Sequence, residues 1–508
     1  MGSYTTLSRL LGFVRDLVFA HSFGANAFTD AFFVAFKIPN FLRRLFAEGA
    51  FSTAFVPVLT EYKSQRSLAD LKSLIDYVAG TLALILLLVS ALGMLLAPVI
   101  VGLFAVGWVL DDTAADKLVL AGDMLRLTFP YLFFISLTAF AGGVMQVHNR
   151  FAAPAFTPVL LNLSLIGCAL WLSPWLEQPV VALAWGVLIA GVSQFVFQIP
   201  FLAQLKLLPR FRVSFRHPGV RRILRLMLPA LFAVSITQIN LLLDTVLASF
   251  LISGSISWLY YSDRLVEFPL GILGVAMSTV LLPRLARDQA EQAPTEFARN
   301  LDWGLRLIVL FGVPAAVGLA LLAGPIIATL FLSDVFVAHD VQMARLSLMA
   351  YASGLLAFLL IKVLAAACYA QQDTRTPVRI GMIAMSVNMV FNLALIVPLQ
   401  HTGLALATSL SAYLNAFLLW RSLRGVYQPV AGWGLFCVRI AVACGVMSLL
   451  LIWLAPPLSV WLEQTLWQRA LSLLLWVPLG VLTYMAMLLL SGMRRRHVVI
   501  SGSSDQHT

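Results

Sequence analysis

The sequence predicts an all-α polytopic membrane protein with about fourteen transmembrane helices and both termini in the cytoplasm. Three observations carry that expectation. The 508 residues are 60% hydrophobic and 11% charged, with a mean hydropathy of +0.92, whereas a soluble domain carries roughly 25% charged residues. Apolar segments of about 20 residues, the length that crosses a bilayer, recur along the whole chain. The basic residues fall almost entirely into alternate loops.

The apolar segments lie near 4–21, 30–59, 76–106, 119–147, 155–174, 180–203, 223–250, 257–285, 303–331, 343–370, 377–398, 403–423, 432–455 and 466–492. Pro130, Pro158, Pro269, Pro314 and Pro478 fall inside them; neighbouring helices can satisfy the backbone groups that such prolines free. One set of loops (60–74, 148–152, 204–225, 284–300, 371–380, 420–428 and the tail from 494) holds 21 Lys and Arg. The alternate set holds one, Lys117. Cytoplasmic loops are the Lys/Arg-rich ones, so the first set faces the cytoplasm. The outer loops are short. The net charge of +11 is thus a topology signal, not a footprint for nucleic acid. Cys168, Cys368, Cys437 and Cys444 sit in apolar stretches without metal or redox spacing and read as small hydrophobes. Arg9 and Arg15 interrupt the first apolar run, which argues against a cleavable signal. The start, MGSYTT, is abrupt for a first helix and suggests a longer natural one.

An internal repeat organises the chain. AFSTAFVPVL at 50–59 matches AMSTVLLPRL at 276–285 at five of ten positions, with an offset of 276 − 50 = 226. Asn162 and Asn388 share that offset. Both copies end a long span that runs into a basic loop, so the repeats have one orientation. Parallel repeats place a central site between two halves. The expected organisation is a six-helix bundle over 1–205, a basic connector over 206–225, a second six-helix bundle over 226–425, two further helices over 426–492 and a cytoplasmic tail over 493–508.

Charges within the spans point to the site. Residues 7–59 contain Arg9, Arg15, Asp16, Asp30, Lys37, Arg43, Arg44 and Glu48 in a stretch apolar enough to cross twice. Such charges are costly and face a protein interior or watery cavity. Arg9 and Asp16 are two helical turns apart and share a face, while Arg15 sits roughly 100° around from Asp16. Pro39 and Gly49 make a bent second span plausible, with Asn40, Arg43, Arg44 and Glu48 near its inner end. In the second half, YYSDRLVEFP places Asp263, Arg264 and Glu267 in a span, with Arg264 and Glu267 an i,i+3 pair. For Asp16, Asp263 and Lys362, structural salt bridges and functional roles stand level. Arg43 and Arg44 read either as snorkelling interface anchors or as a substrate mouth. Arg9, Arg15 and Arg264 favour function. Three guanidiniums from both repeats, facing one cavity, suit a phosphate-bearing substrate, which Arg binds bidentately without deprotonating.

No enzyme constellation is visible. There is no H-E-x-x-H, G-x-S-x-G, Walker A sequence or metal-spaced Cys/His set. A transporter without an ATP site runs on an ion gradient, the membrane potential or the substrate gradient.

The stretches SRLLGFVRD, TDAFFVAFKIPNFLRRLFAEGAFSTAFVPVL and SWLYYSDRLVEFPLGILGVA resemble the MurJ (MviN) family of lipid II flippases, within the multidrug/oligosaccharidyl-lipid/polysaccharide exporter superfamily. The resemblance runs over essentially the whole chain. It implies a fourteen-helix inner-membrane protein that moves undecaprenyl-pyrophosphate-linked peptidoglycan precursor from the cytoplasmic to the periplasmic leaflet by alternating access. It implies roles for Ser8, Arg9, Arg15, Asp30, Asn40, Arg264 and Glu267 in substrate binding and for Arg43, Arg44 and Glu48 at the gate or portal. Helices 13 and 14 resemble the family's groove for the lipid tail. The implied partners are lipid II, membrane lipids and other cell-wall synthesis proteins. The physics agrees: pyrophosphate crossing hydrocarbon pays a heavy desolvation cost, which a cationic cavity offsets.

No cofactor is expected, and a sodium ion is a candidate. Asp244 lies mid-span, Asn388 and Asn392 are i,i+4, and Thr408 lies one turn after Leu404. A carboxylate, two amide oxygens, a hydroxyl and a freed carbonyl suit a hard monovalent cation. Some members of the family carry such a site in these helices, and others differ at the acidic position. The alternative is that the asparagines bond neighbouring helices.

The competing functions are a cation-coupled drug exporter or an exporter of another lipid-linked oligosaccharide, a polytopic glycosyltransferase or ligase, and a scaffold. A drug site favours carboxylates and aromatics over an arginine cluster. A transferase needs catalytic carboxylates, usually with a sizeable outer domain. A scaffold leaves the intramembrane charges unexplained.

Overall fold

In the computed structural model, which describes residues 2–427, 429 and 432–493 without the side chains of 2–3, 5, 46–48, 232–241 and 275, helices carry almost the whole chain and no strand occurs among the described residues. Ten helices there are long and apolar enough to span a membrane, judged by length and composition.

The first compact unit is Met1–Ser257 and the second Trp258–Thr508. The first contains α1 (Gly2–Phe23), α2 (Ala27–Arg43), α3 (Ser52–Gln65), α4 (Leu68–Leu95), α5 (Ala97–Phe104), α6 (Val106–Val109), α7 (Ala115–Thr128), α8 (Tyr131–Val147), α9 (Ala152–Gly167), α10 (Val181–Gln204) and α11 (Pro218–Ala248). The second begins within α12 (Ser255–Ala290) and continues with α13 (Pro294–Leu321), α14 (Ala323–Phe331), α15 (Ala338–Ala370), α16 (Arg375–Ser422), α17 (Trp433–Leu454), α18 (Leu458–Glu463) and α19 (Leu466–Leu490).

Several apolar segments that read as one span are divided. The stretch 76–106 stops at Leu96 (φ −89°, ψ 6°) and resumes as α5; the stretch 303–331 stops at Leu322 (φ −93°, ψ 12°) and resumes as α14. The two breaks are 322 − 96 = 226 residues apart, the offset of the sequence repeat, so the same backbone device recurs in each half. The segments 377–398 and 403–423 are the two arms of α16, joined through Gln400 at φ 49°, ψ −131°. The expected bend in the second span takes another form. Pro39 lies inside α2, and a π-helical run, Arg44–Phe51, links α2 to α3. Such i→i+5 turns are rare and frequent at functional sites.

In the first unit the core gathers Phe51, Phe55, Leu59, Leu74, Ile75, Phe140 and Val144, all at or below 4% exposure. α11 packs on α3, α4 and the π-helical run. In the second unit α17 and α19 pack together and on α13. Their shared core includes Phe436, Ile440, Met447 and Leu451, and Tyr484 Oη donates to the Leu310 carbonyl at 2.7 Å. Long rows of leucine on α4 and α19 are exposed, as expected of helices whose outer faces meet lipid tails.

Candidate substrate site

In the first unit α1 carries Arg9 on an exposed face, while Arg15 and Asp16 are buried at 6% and 3% exposure. The Arg15 side chain folds back on its neighbour: Nη2 and Nε donate to Asp16 Oδ1 at 2.7 and 3.0 Å. Its Nη1 donates to Asn162 Oδ1 at 3.1 Å, and Asn162 Nδ2 donates to the Ser8 carbonyl at 3.0 Å. The Arg15 guanidinium also lies 5.6 Å from the Phe19 ring centroid. This network joins α1 to α9 around Gly12, where an added Cβ would come within 3.7 Å of the Asn162 amide. A buried charge left without partners is strongly destabilising, and here the fork geometry of Arg serves three partners at once.

Asn26 starts α2. Its Oδ1 accepts from the amides of Phe28 and Thr29 at 2.9 and 3.1 Å, as an Asn N-cap does. Asp30, one turn in, is 2% exposed. Its Oδ2 accepts from the Gly254 amide at 2.6 Å, and its Oδ1 from the Ser257 amide and hydroxyl at 2.9 and 2.6 Å. These donors lie at the N-terminal start of α12, Gly254 just before it and Ser257 in its first turn, where anionic groups are favoured. Lys37 Nζ donates to Thr245 Oγ1 at 2.9 Å, tying α2 to α11. Arg43 Nη2 and Nε donate to Asn40 Oδ1 at 2.9 and 3.1 Å across one turn. Arg44, half-buried, opens the π-helical run. The side chain of Glu48 lies outside the described residues.

In the second unit, Arg264 is half-exposed on α12. Its Nη1 meets Glu267 Oε2 at 2.7 Å, and its guanidinium lies 5.2 Å from the Tyr260 centroid. Asp263 and Lys362 are exposed. Asn388 and Asn392 are buried on one face of α16, at 1% and 0% exposure. Asn392 Nδ2 donates to Asn388 Oδ1 at 3.0 Å, and Asn388 Nδ2 to Ser411 Oγ at 3.3 Å. Ser411 and Thr408 donate onward to the carbonyls of Thr408 and Leu404 at 2.9 and 3.0 Å. The residues expected around sodium are therefore oxygen-rich and contiguous for Asn388, Asn392, Leu404 and Thr408, a donor chemistry that fits a hard cation. The Leu404 carbonyl accepts a hydroxyl rather than standing free. Asp244, the fifth, belongs to α11 of the first unit.

Two partners escaped sequence reasoning. Asn162 was visible only through its repeat offset, and the hold of Asp30 on Ser257 had no signal, since the two are 227 residues apart.

Residues 19–469 match the family described as lipid II flippase MurJ. The chain is similar to the probable lipid II flippase MurJ of Vibrio cholerae, 48% identical over 500 residues covering 97% of this chain and 95% of that one. It is similar to the lipid II flippase MurJ of Burkholderia cenocepacia, 43% identical over 461 residues covering 90% and 89%. A solved structure of lipid II flippase MurJ in an inward closed conformation superposes with a TM-score of 0.80 at 26% identity, covering 96% of this chain and 97% of that one. An inward-facing multidrug MATE transporter shares the fold alone, with a TM-score of 0.66 at 14% identity over 82% and 94% of the two chains.

Proposed function

The chain belongs to the MurJ family of lipid II flippases, and on that premise we propose how its residues serve the reaction. Its function is to translocate lipid II, the lipid-linked peptidoglycan precursor, across the bacterial inner membrane, in which it is a multi-pass transporter. The observation that carries this is the family match across residues 19–469.

Movement runs from the cytoplasmic to the periplasmic leaflet by alternating access between the two repeats. The pyrophosphate is the costly part of the substrate. Arg9 and Arg264, which keep exposed or half-exposed guanidiniums, take its oxygens bidentately. Arg15 contributes from a buried position held by Asp16 and Asn162. Its guanidinium carries a fixed positive charge, and its partners hold it in place. Glu267 and Asn40 orient Arg264 and Arg43. Ser8 presents a carbonyl that fixes Asn162, and Asp30 anchors the start of α12. Arg43, Arg44 and Glu48 form the inner gate, where the π-helical run gives the long helix a place to bend. Helices α17 and α19, whose outer faces are exposed leucine and tryptophan, hold the polyprenyl tail. Asn388, Asn392, Leu404 and Thr408, with Asp244, are the residues that would hold a sodium ion, whose binding would bias the second half between its states, a shift that needs differential affinity. Hand-over to other cell-wall synthesis proteins completes the proposal.

Depletion of the resident flippase in a bacterial host tests this function. Expression of the chain should restore growth and lower the lipid II accumulated in the cytoplasmic leaflet. Insertion into the membrane without any change in either quantity overturns it.

A further inference from the structure

The two arms of α16 meet at a strained corner. Gln400, at φ 49° and ψ −131°, is a non-glycine residue outside the ordinary backbone basins. Such strain persists only where the surroundings hold it. The corner is also tight: a Cβ added at Gly403 would run into the Leu395 carbonyl. It lies between the apolar segments 377–398 and 403–423, in a loop that the charge pattern assigns to the outer face.

His401, the next residue, holds this corner. It is 3% exposed, and its Nε2 lies 3.1 Å from the Met343 carbonyl oxygen on α15. A carbonyl only accepts, so Nε2 carries the hydrogen and Nδ1 is bare in the neutral ring. Nδ1 is buried and has no hydrogen-bond partner among the described residues. The Trp258 ring packs on the imidazole, with centroids 5.0 Å apart. Trp258 is fixed in turn. Its Nε1 donates to Asp340 Oδ1 at 2.9 Å, while Asp340 Oδ2 accepts from the Val337 amide at 3.0 Å. The corner of α16, the start of α15 and the start of α12 thus form one clasp, all within the second unit.

Only a neutral imidazole suits this clasp. A proton on Nδ1 makes a second donor, and burying a charge without a partner is costly. The neighbouring charges offer no relief. On α15, Asp340 is engaged by Trp258 and Val337, His339 is exposed with its ring 5.7 Å from that of Trp258, and Arg345 is a half-buried cation two residues past Met343. Asp334, in the loop before α15, and Asp263, five residues beyond Trp258 on α12, are exposed. α16 itself carries no Asp, Glu, Lys or Arg between Arg379 and Arg421.

We propose that His401 is a proton-operated clasp on the corner of α16. Neutral, it pins the corner to α15. Protonated at Nδ1, it lets go, and the strain at Gln400 opens the corner. An unperturbed histidine titrates near pH 6.5. The clasp therefore contributes above about that pH and is lost as pH falls below it. Acidification of the outer face loosens the second unit, independently of which substrate is bound.

The test is hydrogen-exchange mass spectrometry of the full chain at about pH 7.5 and about pH 5, the range in which histidine switches, with rates corrected for the intrinsic pH dependence of exchange. In the wild type, residues 400–406 should lose protection at least about fivefold at the lower pH, the equilibrium weight of one net hydrogen bond. His401→Gln, which offers an N–H in place of Nε2 and cannot ionise, should keep equal protection at both. His339→Gln should respond like the wild type. Wild-type protection that is independent of pH overturns the proposal, as does a full response in His401→Gln. Loss of the response in His339→Gln assigns the proton to His339 and also overturns it. The wild-type and His339→Gln results decide the matter even where His401→Gln fails to insert.

Discussion

Arg15 Nη1 and Asn162 Oδ1 lie 3.1 Å apart, a buried hydrogen bond that joins the first helix to α9. It ties a charge expected to serve substrate to a polar residue known from sequence only as half of a repeated pair. Arg15 is thereby a strut as well as a cation, and the two roles separate experimentally. Arg15→Ala should destabilise the protein by roughly 3–5 kcal/mol, since it breaks a buried ion pair by removing one partner. Asn162→Leu should reproduce a part of the stability loss, about 1–3 kcal/mol for a partner removed from a buried charged group, while leaving the guanidinium in place. Thermal unfolding of both variants is the measurement. An Arg15→Ala protein as stable as wild type would show that the network holds nothing.

Asp30 offers a second separation. Three donors from Gly254 and Ser257 converge on its carboxylate. Hydrogen bonds to charged groups contribute about 1.5–3 kcal/mol each, so Asp30→Ala should cost at least about 2 kcal/mol. Hydrogen exchange should quicken first at residues 255–259. Protection there equal to wild type would assign Asp30 no capping role.

At the start of α16, Asp373 Oδ1 accepts from the amides of Arg375 and Thr376, both at 3.0 Å. Bonds from the Thr376 side chain and amide hold its carboxyl below the ordinary carboxylate range. A depressed folded-state value means the contribution is present above the unfolded value of about 3.9. It is lost as pH falls through the still lower folded value. Asp373→Ala should therefore speed hydrogen exchange at residues 375–379 at neutral pH. The difference from wild type should vanish once the carboxyl is protonated. A difference independent of pH would contradict the cap.

The fold was legible because a membrane span is written in bulk composition. The segments 432–455 and 466–492 became Trp433–Leu454 and Leu466–Leu490, since long apolar runs leave helix as the only way to satisfy the backbone in lipid. Breaks within such runs are marked only indirectly. Leu96 and Leu322 carry no signal in their own side chains, but Pro98 and Pro325, two and three residues on, are the helix-stop signal at each break. The π-helical run at Arg44–Phe51 was foreseen only as a bend, because one inserted residue per turn leaves no compositional trace. The Arg15–Asp16 pair was obscured by ideal-helix reasoning: adjacent residues point about 100° apart, but a long arginine folds back across that angle. Arg264 and Glu267, at i,i+3, needed no such reach, and their pairing followed from spacing alone.

The cation site yields a prediction about coupling. Transport should depend on sodium, and Asp244→Ala should remove that dependence. Asn388→Leu should do the same with a smaller loss of stability than Arg15→Ala causes. Equal transport in sodium and choline buffers, with Asp244→Ala behaving as wild type, would leave the Asn388–Asn392 pair a helix-packing device.

The central claim is that arginines from both repeats receive the pyrophosphate of lipid II. Its most direct measurement is the initial rate of lipid II translocation in proteoliposomes containing wild type, Arg264→Ala or Arg264→Lys at equal insertion. The account predicts a rate near the protein-free background for Arg264→Ala and only slight recovery with Lys, which lacks the bidentate fork. A wild-type rate with Arg264→Ala would contradict it.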